Sequence, residues 1–187
     1  FETCQALLPT CEQHGMHSRH TGRRYRIQTT CVGPEPEGGY PVFTLLDGDT
    51  LFPVAAMAAH AMMTRTGENG VTPMLLVGVG YGHDGWLDTD ARVEDYTPPV
   101  ADGSASHDAR GRRQGGAGRF LRFLREELQL AMAERFSVNP QRQALFGHSF
   151  GGLFALYTLF NQPDAFQTYI ASSPSLWWHD EYILQER

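Results

Sequence analysis

Continuous apolar runs recur along the chain and alternate with longer segments of helical character. Runs of this length without polar alternation are typical of strands that are buried on both faces of a sheet. The predicted strands are YPVFTLLD, PMLLVGVGY, QALFGHS and FQTYIASS, and the predicted helices are LFPVAAMAAHAMMTRT, GRFLRFLREELQLAMAERF and FGGLFALYTLFNQ. Strands that alternate with helices predict an α/β fold with a mainly parallel sheet flanked by helices.

Two segments depart from this alternation. MHSRHTGRRYRIQTTCV predicts an N-terminal antiparallel hairpin, because Thr21-Gly22 marks a turn and apolar residues then alternate with polar ones. The segment from Gly82 to Gly118 has no clear periodicity, so a long functional or disordered loop is expected there. VNPQR is expected to interrupt the regular structure before the third buried strand.

Length and charge narrow the class of protein. The 187 residues fit a single domain, and a net charge of −6 argues against a nucleic-acid partner. No apolar run reaches the roughly 18–20 residues of a membrane span. No metal or cofactor is expected, because His14, His17 and His20 would not converge on a hairpin. The compartment, cytoplasmic or periplasmic, and the oligomeric state stay open.

The stretch GHSFGG carries the chemistry. It places Gly147, Ser149 and Gly151 in a G-x-S-x-G pattern between a predicted strand and a predicted helix, which is the setting of a nucleophile elbow. At both glycine positions a side chain is expected to collide with the neighbouring strand and helix. The Phe150 N–H would then donate to an oxyanion, and the loop that contains Gly48 would supply a second donor. The alternative is a glycine-rich turn whose serine only caps the helix.

A serine nucleophile needs a base, and no histidine of the chain suits this role well. His148 directly precedes Ser149, so its side chain points away from the turn in another direction. His179 lies too close to Ser149 in the chain, because the histidine of this fold usually follows the last strand of the complete sheet. The base is therefore expected outside these 187 residues. The chain does not begin with Met, so we expect a processed or trimmed product.

Further motifs make the sequence resemble a known family. YPVFTLLDGDTLF, LLVGVGY, ARVEDYTPP, GGAGRFLRFLREEL, GHSFGGLFALYTLF and ASSPSLWW occur in the order of the esterase D-like α/β-hydrolases. Within this group the chain is most similar to siderophore esterases that hydrolyse enterobactin and its ferric or glucosylated forms. The resemblance implies an α/β-hydrolase fold over residues 1–187 that lacks its C-terminal part. It also implies Ser149 as the nucleophile, Gly48 and Phe150 in the oxyanion hole, and Arg92 facing the substrate.

Other substrate contacts are predicted from the chemistry of the side chains. A ferric tris-catecholate is strongly anionic, and the guanidinium of arginine binds such oxygens well. We expect Arg92, with Arg112 and Arg113 of the long loop, to contact the ligand, although solvated loop charges are the alternative for the last two. Trp177 or its neighbour Trp178 would stack on aromatic acyl groups, unless it packs under the sheet edge.

These features predict a serine carboxylic-ester hydrolase that cleaves a siderophore trilactone, such as ferric enterobactin, through an acyl-enzyme. A general carboxylesterase, a feruloyl-type esterase or an acyltransferase would use the same machinery. A non-catalytic binding protein with an α/β-hydrolase fold is a further alternative. The expected partner is a small-molecule ester.

Overall fold

The computed structural model describes residues 9–64, 71–82, 85–99 and 106–185 of the chain. The strands in these ranges are β1 (Glu12–His17), β2 (Arg24–Val32), β3 (Tyr40–Leu46), β4 (Met74–Gly80), β5 (Val138–His148) and β6 (Thr168–Ser172). The helices are α1 (Gly48–Met63), α2 (Thr89–Tyr96), α3 (Ala117–Arg122), α4 (Gln129–Arg135) and α5 (Phe150–Asn161). A π-helical segment, Phe123–Leu128, joins α3 to α4, and short 3₁₀ helices span Pro163–Ala165 and Tyr182–Gln185.

The strands form one mixed sheet in the order β1-β2-β4-β3-β5-β6. The hairpin strands β1 and β2 are antiparallel, β2 pairs antiparallel with β4, and β4, β3, β5 and β6 run parallel to one another. The predicted α/β-hydrolase fold with an N-terminal antiparallel hairpin is thereby confirmed. Because parallel strands end at the same edge, the segments after β3, β4, β5 and β6 meet there.

Helices cover both faces of the sheet. On one face, Phe52 and Ala56 of α1 pack against Leu45 and Leu76. The other face carries the larger cluster, in which α3, the π-helical segment and α5 pack against alternate strand residues such as Leu46 and Val77. None of the helices in the described ranges is long and apolar enough to cross a membrane.

Three details differ from the sequence prediction. The segment predicted as an aperiodic loop contains α2, which begins where the Asp88 side chain accepts hydrogen bonds from the N–H groups of Asp90 and Ala91. The segment VNPQR does not interrupt the chain but forms the first part of β5. The helix α1 begins at Gly48, three residues earlier than predicted, and Gly67, predicted near its end, lies outside the described residues.

Candidate active site

Ser149 occupies the sharp turn between β5 and α5, as predicted. Its backbone has φ 57° and ψ −114°, outside the regions that non-glycine residues normally adopt. Such strain costs about 1–3 kcal/mol and is found mainly at functional sites. Because the side chain is only partly buried, its hydroxyl can reach a ligand at the sheet edge.

The glycines around Ser149 are needed to different degrees. A Cβ on Gly147 would overlap the Gly151 carbonyl, so no larger residue fits at position 147. A Cβ on Gly151 would make only ordinary contacts, the nearest being 3.5 Å from Leu46. A Cβ on Gly152 would lie 3.0 Å from Pro174 Cα, which is tight. The prediction that both glycines flanking the serine prevent a collision therefore holds for Gly147 and is wrong for Gly151, whereas Gly152 has a tight packing contact.

Two helix N-termini lie side by side next to this serine. β3 and β5 are adjacent and parallel, so α1 and α5 both begin at the same edge. Gly48 and Phe150 are the first residues of these helices, and N–H groups in a first turn have no acceptor within the helix. A Cβ on Gly48 would lie 2.6 Å from the Val79 nitrogen, so only glycine lets α1 start this close to β4.

Arg92 lies beside the serine, but its guanidinium is already engaged. Its Nε and Nη2 donate to the two carboxylate oxygens of Asp47, each at 2.8 Å, and the residue is 8% exposed. The guanidinium carbon also lies 5.4 Å and 5.6 Å from the ring centres of Tyr96 and Phe150. The resemblance implied a substrate-facing arginine, whereas the structure gives Arg92 the pairing that a buried cation next to a buried carboxylate requires.

A cavity of about 240 Å³ opens in front of Ser149. Apolar and polar side chains both line it, and its walls are formed by Asp47, Thr50, Leu51, Leu87, Arg92, His148 and Ser149. The Leu87 segment is held over α1, because the Thr50 hydroxyl donates to the Trp86 carbonyl. The cavity can thus take an ester with an apolar part against Leu51 and Leu87.

The structure does not bring Arg112 and Arg113 to this cavity. Arg112 is bound to Asp108 through its Nη2 at 2.6 Å, and Arg113 lies 3.6 Å from a Glu94 oxygen. Both arginines line a separate cleft together with Arg23 and Arg110. Their partners are local carboxylates, a pairing that the sequence pattern did not indicate.

The two tryptophans have opposite environments. Trp177 is 68% exposed, and its ring makes an edge contact with Phe150 at 5.6 Å between centres. Trp178 is buried, with 3% exposure, and packs edge-on against His179. Trp177 is therefore the one that a ligand can reach, and Trp178 belongs to the core.

Neither candidate histidine is hydrogen-bonded to Ser149. His179 Nε2 pairs with Gln114 Oε1 at 3.2 Å. His148 is exposed, and its contact with the site is through its carbonyl oxygen, 3.5 Å from Arg92 Nη2. Among the described residues, the side chain that is hydrogen-bonded to Ser149 Oγ is that of Ser175, at 3.1 Å. The sequence prediction missed this serine.

A buried polar network supports the loop that carries Asp47. The Asp47 N–H donates to the Tyr96 hydroxyl at 3.1 Å, and the Tyr25 hydroxyl donates to Asp95 at 2.8 Å. Burial raises the pKa of Asp95 to about 7, although Arg23 and the Tyr25 hydrogen bond both act to lower it. Asp95 and Tyr96 thus support the site from behind.

The strand order and a strained serine after β5, at the edge where parallel strands end, define an α/β-hydrolase. The chain belongs to the esterase family, whose family model matches residues 18–186.

Similar proteins are known by name. The chain is 38% identical over 183 residues to the ferri-bacillibactin esterase BesA of Bacillus subtilis, a match over 96% of this chain and 63% of that protein. It is 39% identical to the siderophore triacetylfusarinine C esterase of Aspergillus fumigatus, over 96% of this chain and 60% of that protein. The chain thus spans less than two thirds of the length of either curated relative.

A solved structure gives the same picture of the fold. The crystal structure of the BES protein from Bacillus cereus matches with a TM-score of 0.88 and 36% identity. The match covers 100% of this chain and 69% of that structure.

Proposed function

We propose that the protein is a serine carboxylic-ester hydrolase that cleaves a siderophore ester through an acyl-enzyme on Ser149. The observation that carries the proposal is the strained backbone of Ser149 between the N-termini of α1 and α5. A protein that only bound its ligand would have no use for this strain, whereas a nucleophile must be held above the turn.

The geometry suggests how the reaction would run. Ser149 Oγ attacks the ester carbonyl carbon while its proton passes to a general base. The carbonyl oxygen becomes an oxyanion that accepts hydrogen bonds from the N–H groups of Phe150 and Gly48. The alcohol then leaves, and water attacks the acyl-enzyme to release the acid and restore the serine.

The pairing of Arg92 with Asp47 is important for this chemistry. A buried, unpaired carboxylate next to Gly48 would repel the negative charge that develops on the oxyanion. Arg92 compensates the Asp47 charge with two hydrogen bonds of 2.8 Å. We therefore propose that the main role of Arg92 is to support the loop that contains Asp47 and Gly48. The part of its side chain that stays uncovered lines the cavity.

The names of the relatives support a siderophore as the substrate, since they are esterases of ferri-bacillibactin and of triacetylfusarinine C. We propose a trilactone such as enterobactin, free or as its ferric complex. Its aromatic rings suit the exposed Trp177 beside Phe150.

The proposal is tested on the full-length protein by comparing the hydrolysis of ferric enterobactin, iron-free enterobactin and a p-nitrophenyl ester. We expect turnover of a siderophore with a higher kcat/KM than that of the p-nitrophenyl ester, and a loss of several orders of magnitude in Ser149→Ala for every substrate. The exposed Ser137, directly before β5, gives a matched control in Ser137→Ala, which should keep full activity. Turnover of the p-nitrophenyl ester alone would indicate a general carboxylesterase, and an active Ser149→Ala variant would refute the mechanism.

A further inference from the structure

The end of β6 and the loop that follows it are bonded to Ser149 at three points. The Ser149 N–H donates to the Ser172 carbonyl at 3.0 Å, and the Ser175 N–H donates to the Ser149 carbonyl at 3.1 Å. In addition, the hydroxyl oxygens of Ser175 and Ser149 lie 3.1 Å apart. The backbone bonds hold the Ser175 backbone next to Ser149, which brings its hydroxyl within hydrogen-bonding reach of Ser149 Oγ.

Packing holds this loop in place as well. A Cβ on Gly152 would lie 3.0 Å from Pro174 Cα and 3.1 Å from the Ser172 carbonyl, so the loop rests directly on the first turn of α5. Ser175 itself is 3% exposed. Its hydroxyl is therefore shielded from solvent and depends on protein partners.

We propose that Ser175 is a positioning residue for the nucleophile, and that its hydroxyl donates a hydrogen bond to Ser149 Oγ. This inference rests on the proposed function of Ser149. The bond would hold the Ser149 side chain in one rotamer, with its own proton directed away from Ser175 and toward the base.

The direction of the bond follows from counting protons. Ser149 Oγ carries one proton and two lone pairs, and the proton has to leave during the attack. If Ser149 donated to Ser175, that proton would not be available to a base. If Ser175 donates, one lone pair of Ser149 is oriented, the other attacks the carbonyl carbon, and the donor stabilises the negative charge that builds up on Oγ.

The role predicts a defect in the rate rather than in binding. Ser175→Ala removes the hydroxyl and keeps the backbone bond to Ser149. We expect kcat to fall about tenfold with little change in KM, as suits one lost hydrogen bond to a developing charge. The second-order rate of Ser149 labelling by a fluorophosphonate should fall by the same factor, while the melting temperature stays close to that of the wild type.

Two further substitutions separate the hydrogen bond from the filling of space. Ser175→Thr keeps a hydroxyl and should restore most of the rate. Ser175→Cys fills nearly the same volume with a weak S–H donor and should resemble Ser175→Ala. A wild-type rate in Ser175→Cys would overturn the proposal, because shape alone would then suffice.

The outcome also distinguishes this inference from the proposed function. If Ser149→Ala is inactive and Ser175→Ala reacts at the wild-type rate, the role of Ser175 is refuted and the function of Ser149 stands. If Ser149→Ala remains active, the proposed function itself fails. A large drop in melting temperature with unchanged kcat in Ser175→Ala would likewise refute the positioning role and leave Ser175 as a purely structural residue.

Discussion

The backbone of Ser149 is held in an unfavourable conformation by hydrogen bonds from outside its own turn. Its N–H is bonded to the last residue of β6 and its carbonyl to the loop after β6, and the carbonyl also accepts the Leu153 N–H at 3.0 Å. Local sequence does not favour this conformation, so tertiary contacts must supply the free energy that offsets the strain. Substitutions that displace the backbone partners of Ser149 are thus expected to affect both stability and rate.

Substitution of Arg92 tests whether this residue supports the Asp47 loop or binds the substrate. Arg92→Ala would leave the buried Asp47 carboxylate unpaired, which typically costs about 3–5 kcal/mol of folding stability. We expect kcat on an anionic ferric siderophore and on a neutral p-nitrophenyl ester to fall by similar factors. Steady-state kinetics on both substrates, together with urea unfolding, measure these effects.

The control for Arg92 is Arg122→Ala. Arg122 is an exposed arginine paired with Glu126 one turn away, and such surface pairs contribute little. The stability and the activity of the Arg122→Ala variant should both remain near those of the wild type. If Arg92→Ala lost activity only on the ferric siderophore and unfolded like the wild type, Arg92 would be a substrate contact, as the family resemblance implies.

Asp95 gives the protein a predictable pH dependence. Its pKa is raised to about 7, mainly by burial, from the ordinary aspartate value of 3.8. The folded state therefore binds more protons than the unfolded state between these values, so the contribution of Asp95 to stability is lost as the pH rises from about 4 to about 7. Asp95→Asn should flatten the decline in the free energy of unfolding over this range, as measured by urea titration at several pH values. An unchanged slope would mean that Asp95 is ionised throughout.

Among the secondary-structure elements, the loop after β6 packs so closely on α5 that it leaves little room for a side chain at position 152. Gly152→Ala places a methyl group 3.0 Å from Pro174 and should cost about 1–3 kcal/mol, as overpacking usually does. Because the loop must shift away from Ser149, kcat should also fall. Unfolding and kinetic measurements check both effects.

Gly118→Ala, in α3, is the matched control. A Cβ there would lie 3.5 Å from the Tyr157 hydroxyl, an ordinary contact, so alanine should stabilise the helix by about 0.5–1 kcal/mol. If Gly152→Ala were as stable and as active as Gly118→Ala, the packing of the loop on α5 would have no role in the site.

The elements that the sequence predicted correctly are those with strong local patterns. The buried strands, the amphipathic helices and the turn at Ser149 can all be recognised within about a dozen residues. The helix α2 was missed because it is short and polar, and only Asp88 marks its start. The π-helical segment within the predicted long helix has no sequence signal that we recognise.

The contacts that complete the site are long-range, and local patterns do not predict them. The pairing of Arg92 with Asp47 spans 45 residues, and that of Ser175 with Ser149 spans 26. The sequence indicated Arg92 as a candidate site residue but did not indicate its partner. Ser175 was not identified, because a buried serine in a loop has no local pattern that distinguishes it.

At the scale of the whole molecule, the sheet brings the candidate site together at one edge. Asp47, Arg92 and Ser149 come from segments after β3, β4 and β5, and Ser175 follows β6. The hairpin and the helices on both faces fix the strands, so each strand end holds its own part of the site in position. The proposed function therefore depends on Ser149 being the group that this assembly activates.

The most direct measurement is the reaction of the purified protein with a fluorophosphonate, followed by intact mass and peptide mapping. The account predicts one label per chain, located on the peptide that contains Ser149, and no label in Ser149→Ala. The label should appear more slowly when a siderophore ester competes for the site. Labelling that persists in Ser149→Ala, or an unlabelled protein that still hydrolyses the ester, would contradict the account.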